Sequence, residues 1–245
     1  MKFKPVGEIN RFKFLYICVI FRPPIQYNLR PVYLIALISL FIGFIPIVLF
    51  LIRKQKKRLS IQTLYLEPYV WLILISSVYE LICTLIFKLN SDVWFRTYLL
   101  LEFMALFYFF FNVFKNRYRF LFYFFGAVFL LTFIGLLYVW NDWNNLKTDS
   151  YLSLIEAIFV YTFVILWFKD VFLNLTEQYL WNFPLFYFIS GFIFYFSGTL
   201  FLFLMGDLIY ESPEVIFEDF WVFNIILNII KNIFLMIGIW KEQKK

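Results

Sequence analysis

Histidine is absent from the 245 residues. Without it the chain can build no imidazole metal site, no histidine general base, no Ser-His-Asp triad and no phosphorylatable histidine. Cysteine is nearly absent: Cys18 and Cys83 allow at most one bridge and form no C-x-x-C pair, so they read as small apolar fillers. Charge is scarce as well, at 16% of residues, too little to coat a water-facing surface. What is present is apolar. Hydrophobic residues make up 63% of the chain, aromatic residues 25%, and 37 residues are Phe. In water such a composition would leave large exposed apolar patches, so lipid is the solvent for most of the chain.

Apolar stretches close to the ~20 residues that cross a ~30 Å hydrocarbon core number seven, at 32–52, 68–87, 94–114, 120–140, 151–168, 184–205 and 221–240. Backbone in lipid must satisfy its own hydrogen bonds, and these runs are continuous rather than alternating. They are therefore expected to be helices and not barrel strands. The fold class expected is all-α, a polytopic bundle of seven transmembrane helices over 32–240.

Lys and Arg in the short connections set the orientation. Arg53, Lys54, Lys56, Lys57 and Arg58 follow the first run, Lys115, Arg117 and Arg119 the third, Lys169 the fifth, and Lys241, Lys244 and Lys245 the seventh. Those ends belong in the cytoplasm. The opposite connections carry only Lys88, Arg96 and Lys147, and the last of them is acidic, with Asp207, Glu211, Glu214, Glu218 and Asp219. An outside N-terminus and a cytoplasmic tail at 241–245 are the resulting expectations. The net charge of +6 thus marks a membrane surface rather than a nucleic-acid partner.

Residues 1–31 fit this scheme poorly, since Lys2, Lys4, Arg11, Lys13, Arg22 and Arg30 would lie outside. A basic interfacial segment is the preferred reading. The alternative, an eighth span over 12–21, has only about ten apolar residues before Pro23-Pro24 stops a helix. Tryptophan supports the register, with Trp94, Trp140, Trp143 and Trp221 at outer ends and Trp71, Trp167, Trp181 and Trp240 at inner ends. Between the fifth and sixth runs, Phe172, Leu175 and Tyr179 are spaced for one face of a short interfacial helix.

Four ionisable residues fall well inside the expected helices: Glu80, Glu102, Glu156 and Lys231. Each costs roughly 2.5–3.5 kcal/mol to insert, so each needs a partner or a wet cavity. Their depths overlap, and Asn224, Asn228 and Lys231 share one face of the seventh helix at i, i+4 and i+7. Ser76, Glu80 and Thr84 make a second stripe, and Ser153 lies one turn from Glu156. Such faces can build a pocket with net negative charge for a proton, a metal cation or a cationic ligand. They can equally be glue, with Lys231 tied to one Glu and Asn and Ser bonding helices together. Both readings stand on the same residues. On the sixth helix Gly191, Ser197 and Gly198 are small residues suited to close helix packing, and Gly43 with Pro46 is expected to bend the first helix. Arg96 is expected to snorkel to the headgroups, and Glu67 beside Pro68 to favour a helix N-terminus.

The stretch from Pro184 to Phe203, with Leu227–Phe234 and Ile237-Gly-Ile-Trp240, resembles a bacterial heptahelical membrane module found alone or N-terminal to histidine kinases. The match is specific over about 60 residues at the C-terminal end and general elsewhere, at Leu101-Glu102-Phe103 and Ile155-Glu156-Ala157. The resemblance implies a sensory or receptor-like input domain. With no kinase before Lys245, its output would pass to a separate cytoplasmic signalling protein. A transporter or channel using the four buried charges is the second reading, though no inverted repeat supports it. A membrane-embedded lipid-acting enzyme using carboxylates as acid and base is the third. No nucleophile, metal, cofactor or phosphate motif accompanies it, so a non-enzyme without cofactor is expected.

Overall fold

The computed structural model describes residues 31–87, 92–115, 117–140, 145–174, 180–211 and 217–242, and every regular element among them is helical. In chain order these are α1 (Pro31–Gln55), a single turn α2 (Ile61–Leu64), α3 (Glu67–Tyr79) continued by a π-helical segment (Glu80–Ile86), α4 (Asp92–Val113), α5 (Arg119–Leu137), α6 (Asn145–Asn174), a 3-10 turn (Leu180–Asn182), α7 (Pro184–Glu211) and α8 (Phe217–Lys241). Seven of these stretches, of 19 to 26 residues, are long and apolar enough to cross a membrane. The chain is a multi-pass membrane protein with a seven-helix bundle. The basic segment 1–30 and the side chains of Asp207, Glu211, Glu214, Glu218 and Asp219 lie outside the described residues.

Five of the helices, α1, α4, α6, α7 and α8, are longer than the apolar runs that mark them. α6 is the clearest case, at 30 residues, because its first turns bury Thr148 and Asp149 instead of ending at the polar boundary. Its far end also runs on. Phe172 belongs to α6 and is exposed, not the start of a separate interfacial helix, while Leu175 and Tyr179 lie outside the described residues.

α8 is the axis of the arrangement, packing along α7 on one side and α1 on the other, while α7 also meets α6 and α1 meets α3. Without a hydrophobic force between helices in lipid, close approach must come from small residues and shape. At the α7–α8 contact a Cβ on Gly191 would lie 2.9 Å from the Phe234 Cβ and 3.3 Å from the Lys231 carbonyl oxygen. A Cβ on Gly198 would strike Leu227, and one on Gly238 would strike Phe188. Ser197 is a different matter. Next to Gly198 but about 100° around the helix, it is exposed and donates 2.6 Å to the Ile193 carbonyl of its own helix. It contributes nothing to the α7–α8 contact. Gly43 serves α1 in the same way as the α7 glycines serve α8, since its missing side chain leaves room for Ser77 of α3. Pro46 sits within α1.

A phenylalanine wall joins α4, α5 and α6. Phe103 stacks on Phe129 at 3.8 Å and 2°, Phe122 on Phe163 at 4.0 Å, and Phe159 meets the rings of Phe103, Phe125 and Phe163 at 4.9–5.6 Å. α5 still lies at the periphery: 17% of its span is buried, against 50% for α6 and α7. Trp167 is packed inside the bundle at 7% exposure, whereas Trp71, Trp181 and Trp240 are exposed.

Candidate functional site

At the middle of α8 the side chain of Lys231 is fully buried. A lysine at that depth has no nearby interface to reach, and it turns inward instead. Its Nζ lies 3.9 Å from Glu102 Oε1 of α4, 3.8 Å from the Tyr195 ring centre of α7 and 5.3 Å from that of Tyr69 of α3. The ammonium is thus held by one carboxylate and two aromatic faces, each favourable to a cation. It donates no hydrogen bond.

Glu102 is 2% exposed. Its Oε1 accepts the hydroxyls of Tyr69 at 2.9 Å and Tyr98 at 3.2 Å, and Tyr98 stands one turn before it on α4. Tyr69 is itself wedged edge-on against Phe192 at 5.1 Å. Sequence reasoning misses both phenols, because tyrosine is too common in this chain to mark a site. The only signal is the i, i+4 spacing of Tyr98 and Glu102.

Glu156 of α6 is 1% exposed and lies within electrostatic reach of both Glu102 and Lys231. Its Oε1 has no hydrogen-bond partner. Ser153 Oγ, one turn away on the same helix, has none either. The structure therefore brings Glu102, Glu156 and Lys231 into one cluster built from α4, α6 and α8.

Glu80 is not joined to it. It forms no ion pair with Lys231 and is only half-buried, and from this residue onward α3 widens into the π-helical segment. Ser76 and Glu80 keep their four-residue spacing, the Glu80 N–H still donating to the Ser76 carbonyl, while the side chain of Thr84 lies outside the described residues. Asn224 is buried with its Oδ1 unpartnered, whereas Asn228 is half-buried. Asn232, missed in the sequence although it continues the four-residue spacing of 224 and 228, is fully buried with both amide atoms unpartnered.

Two further polar groups escape sequence reasoning because each lies at a helix end. Asp149 is 2% exposed and accepts 3.1 Å from Trp140 Nε1, and the Arg96 guanidinium lies 4.6 Å over that indole. At the opposite, basic end, Glu242 is buried just beyond α8. Its carboxylate accepts the Ser60 N–H at 3.0 Å and the Thr63 hydroxyl. Arg53 of α1 donates to the Trp240 and Glu242 carbonyls at 2.9 and 3.2 Å and lies 4.8 Å over the Trp240 ring. Lys241 donates to Tyr187 Oη at 2.6 Å and the Trp181 carbonyl at 3.2 Å. The last turn of α8 is thereby clamped to α1, α2 and α7. Nearby, Lys54 pairs with Glu67 at 2.6 Å and Arg117 with Asp170 at 2.9 Å.

Chemically, the cluster offers two carboxylates, one ammonium and unfilled hydrogen-bond capacity among buried side chains. Among the described residues no group of three acidic or thiol side chains is placed to hold a metal ion. No protein family matches this chain, nor does any curated protein or solved structure.

Proposed function

We propose that the chain is a seven-helix sensor of a bacterial cell membrane, with its basic loops and C-terminal end in the cytoplasm. In this reading the Glu102–Glu156–Lys231 cluster is the input, and the clamped end of α8 is the output to a separate signalling protein. One observation carries it: the same helix bears the buried Lys231 at its middle and the Arg53–Glu242 clamp at its end. A change in what the cluster holds shifts an equilibrium only if the two packings of α8 bind it differently. Lys231 Nζ, Glu156 Oε1 and both Asn232 amide atoms make no hydrogen bond in this packing, which supports such a difference, because a second packing can supply one.

Nitroxide labels at Gln62 of α2 and Ile237 of α8, in a chain with Cys18 and Cys83 replaced by alanine, test the coupling. Lys231→Met should move the label-to-label distance by about 1–2 Å, the scale of helix displacements at packed interfaces, or broaden it as the clamp loosens. An unchanged distribution would sink the sensor reading. Ion or proton flux through proteoliposomes would transfer the cluster to a transporter.

A further inference from the structure

Glu156, Ser153 and Asp149 lie at i, i−3 and i−7 on α6 and so share one face. All three are buried, at 1%, 7% and 2% exposure. The stripe begins at the Trp140–Asp149 hydrogen bond at one end of the bundle and stops about 10 Å further along, at ~1.5 Å per residue, against the charge cluster. Glu156 Oε1 and Ser153 Oγ are both without hydrogen-bond partners. On the view that the cluster is the sensor's input, we propose that this stripe is a proton path and that Glu156 is where the proton is held.

Charge balance within the cluster selects the ligand. Two carboxylates face one ammonium, leaving one negative charge in a low-dielectric interior where an unpaired ion is costly. One bound proton cancels it. A metal cation fits worse, since the Lys231 ammonium repels it and, among the described residues, the buried α6 oxygens without hydrogen-bond partners are Glu156 Oε1 and Ser153 Oγ.

Geometry also selects the site within the cluster. Glu102 Oε1 accepts two phenol hydroxyls and has Lys231 at 3.9 Å, so its lone pairs are already engaged by donors and a cation. Glu156 Oε1 receives none, so its neutral form, which donates rather than only accepts, suits the surroundings better. The charged and titratable groups around it are Glu102 and Tyr98 from α4, Lys231 from α8 and Asp149 on its own helix, with Tyr195 of α7 beneath the ammonium. α5 meets this helix through Phe122 and Phe125. Uptake forms one O–H bond from a carboxylate lone pair of Glu156. Release breaks that bond, leaves the pair on the carboxylate and returns the proton to water through Ser153 and Asp149.

Infrared difference spectroscopy of the full chain in lipid nanodiscs tests this directly. The expected result is a carboxylic-acid carbonyl band, sensitive to deuterium, that Glu156→Gln removes, Glu102→Gln retains and Glu156→Asp moves without abolishing. The aspartate variant keeps the assignment testable if the glutamine variant does not fold. Ser153→Ala should slow deuterium uptake at the band on the order of ten-fold, the effect of losing one hydrogen-bonding relay. No protonated band in the unaltered protein, or a band that survives Glu156→Gln, would overturn the site. Uptake unaltered by both Ser153→Ala and Asp149→Asn would overturn the path. The band reports the proton whether or not the end of α8 moves, and the label distance reports that movement whether or not Glu156 is protonated, so either idea can fail alone.

Discussion

The phenylalanine wall and the charge cluster occupy the same bundle, share α4 and α6, and are built on opposite terms. In the wall, every group is apolar and every ring has neighbours: Phe103 on Phe129 at 3.8 Å, Phe122 on Phe163 at 4.0 Å. In the cluster, Lys231 Nζ, Glu156 Oε1 and both Asn232 amide atoms lie buried without hydrogen-bond partners. Each orphan costs about 1–3 kcal/mol. The difference teaches where the molecule gives up stability: a wall of this kind has one good packing, whereas a cluster with unfilled capacity has a reason to rearrange.

The largest effect should come from breaking the cluster on one side only. Lys231→Met leaves Glu102 and Glu156 facing each other without the ammonium, and removing one member of a buried pair costs about 3–5 kcal/mol. Adding Glu102→Gln should return part of that loss, because the remaining charge then falls by one. Unfolding in graded denaturing detergent measures both, and the double-mutant cycle gives the coupling. Purely additive losses would mean that the two side chains are neighbours without being partners, and the contrast with the wall would collapse.

How legible each residue is in the sequence depends on the kind of signal it carries. The seven spans and the depth match of Lys231 with Glu102 are matters of run length and rise per residue, which sequence displays. That Glu102 is bracketed by Tyr69 and Tyr98 depends on how α3 and α4 face each other, and no periodicity reports that. Glu80 joins the cluster on depth alone, but depth does not report which way a helix face turns, and the ammonium of Lys231 pairs with Glu102 instead. Ser197 is read with Gly198 because the pair repeats Ser190-Gly191 seven residues on, although adjacent helical residues point about 100° apart. Glu242 and Asp149 lie at span ends, where composition alone looks like ordinary solvent-facing polarity. Only the structure shows both of them buried.

The next effect in size concerns the contact that seats Lys231. Gly198→Leu forces a side chain into Leu227 of α8 and should cost about 1–3 kcal/mol by overpacking. Gly135 of α5 is the internal control, since a Cβ there meets nothing within 4 Å; Gly135→Leu should stay within about 0.5 kcal/mol. Thermal stability of the two variants in the same detergent is the measurement. Equal losses would show that the α7–α8 contact is no tighter than the periphery, and that α8 is not the axis on which the cluster turns.

The smallest effect is expected in the wall, and it sharpens the comparison most. Phe122→Leu keeps an apolar group of moderate size in place but deletes the ring that stacks on Phe163 and meets Phe107 and Phe111 edge-on at 5.4 and 5.2 Å. Ring pairs add about 0.5–1.5 kcal/mol beyond the area they bury, and in lipid that geometric share matters because association gains little from hydrophobicity itself. The loss should therefore fall near 1 kcal/mol, by the same aromatic scale. It should also be independent of pH, since no titratable group among the described residues stacks on Phe122, whereas the loss in Lys231→Met should depend on pH through the two carboxylates it strands. Detergent unfolding of both variants across a pH series separates the two. A Phe122→Leu loss that varies with pH as that of Lys231→Met does would mean that wall and cluster unfold as one cooperative unit, with the cluster free to rearrange only when the aromatic packing gives way.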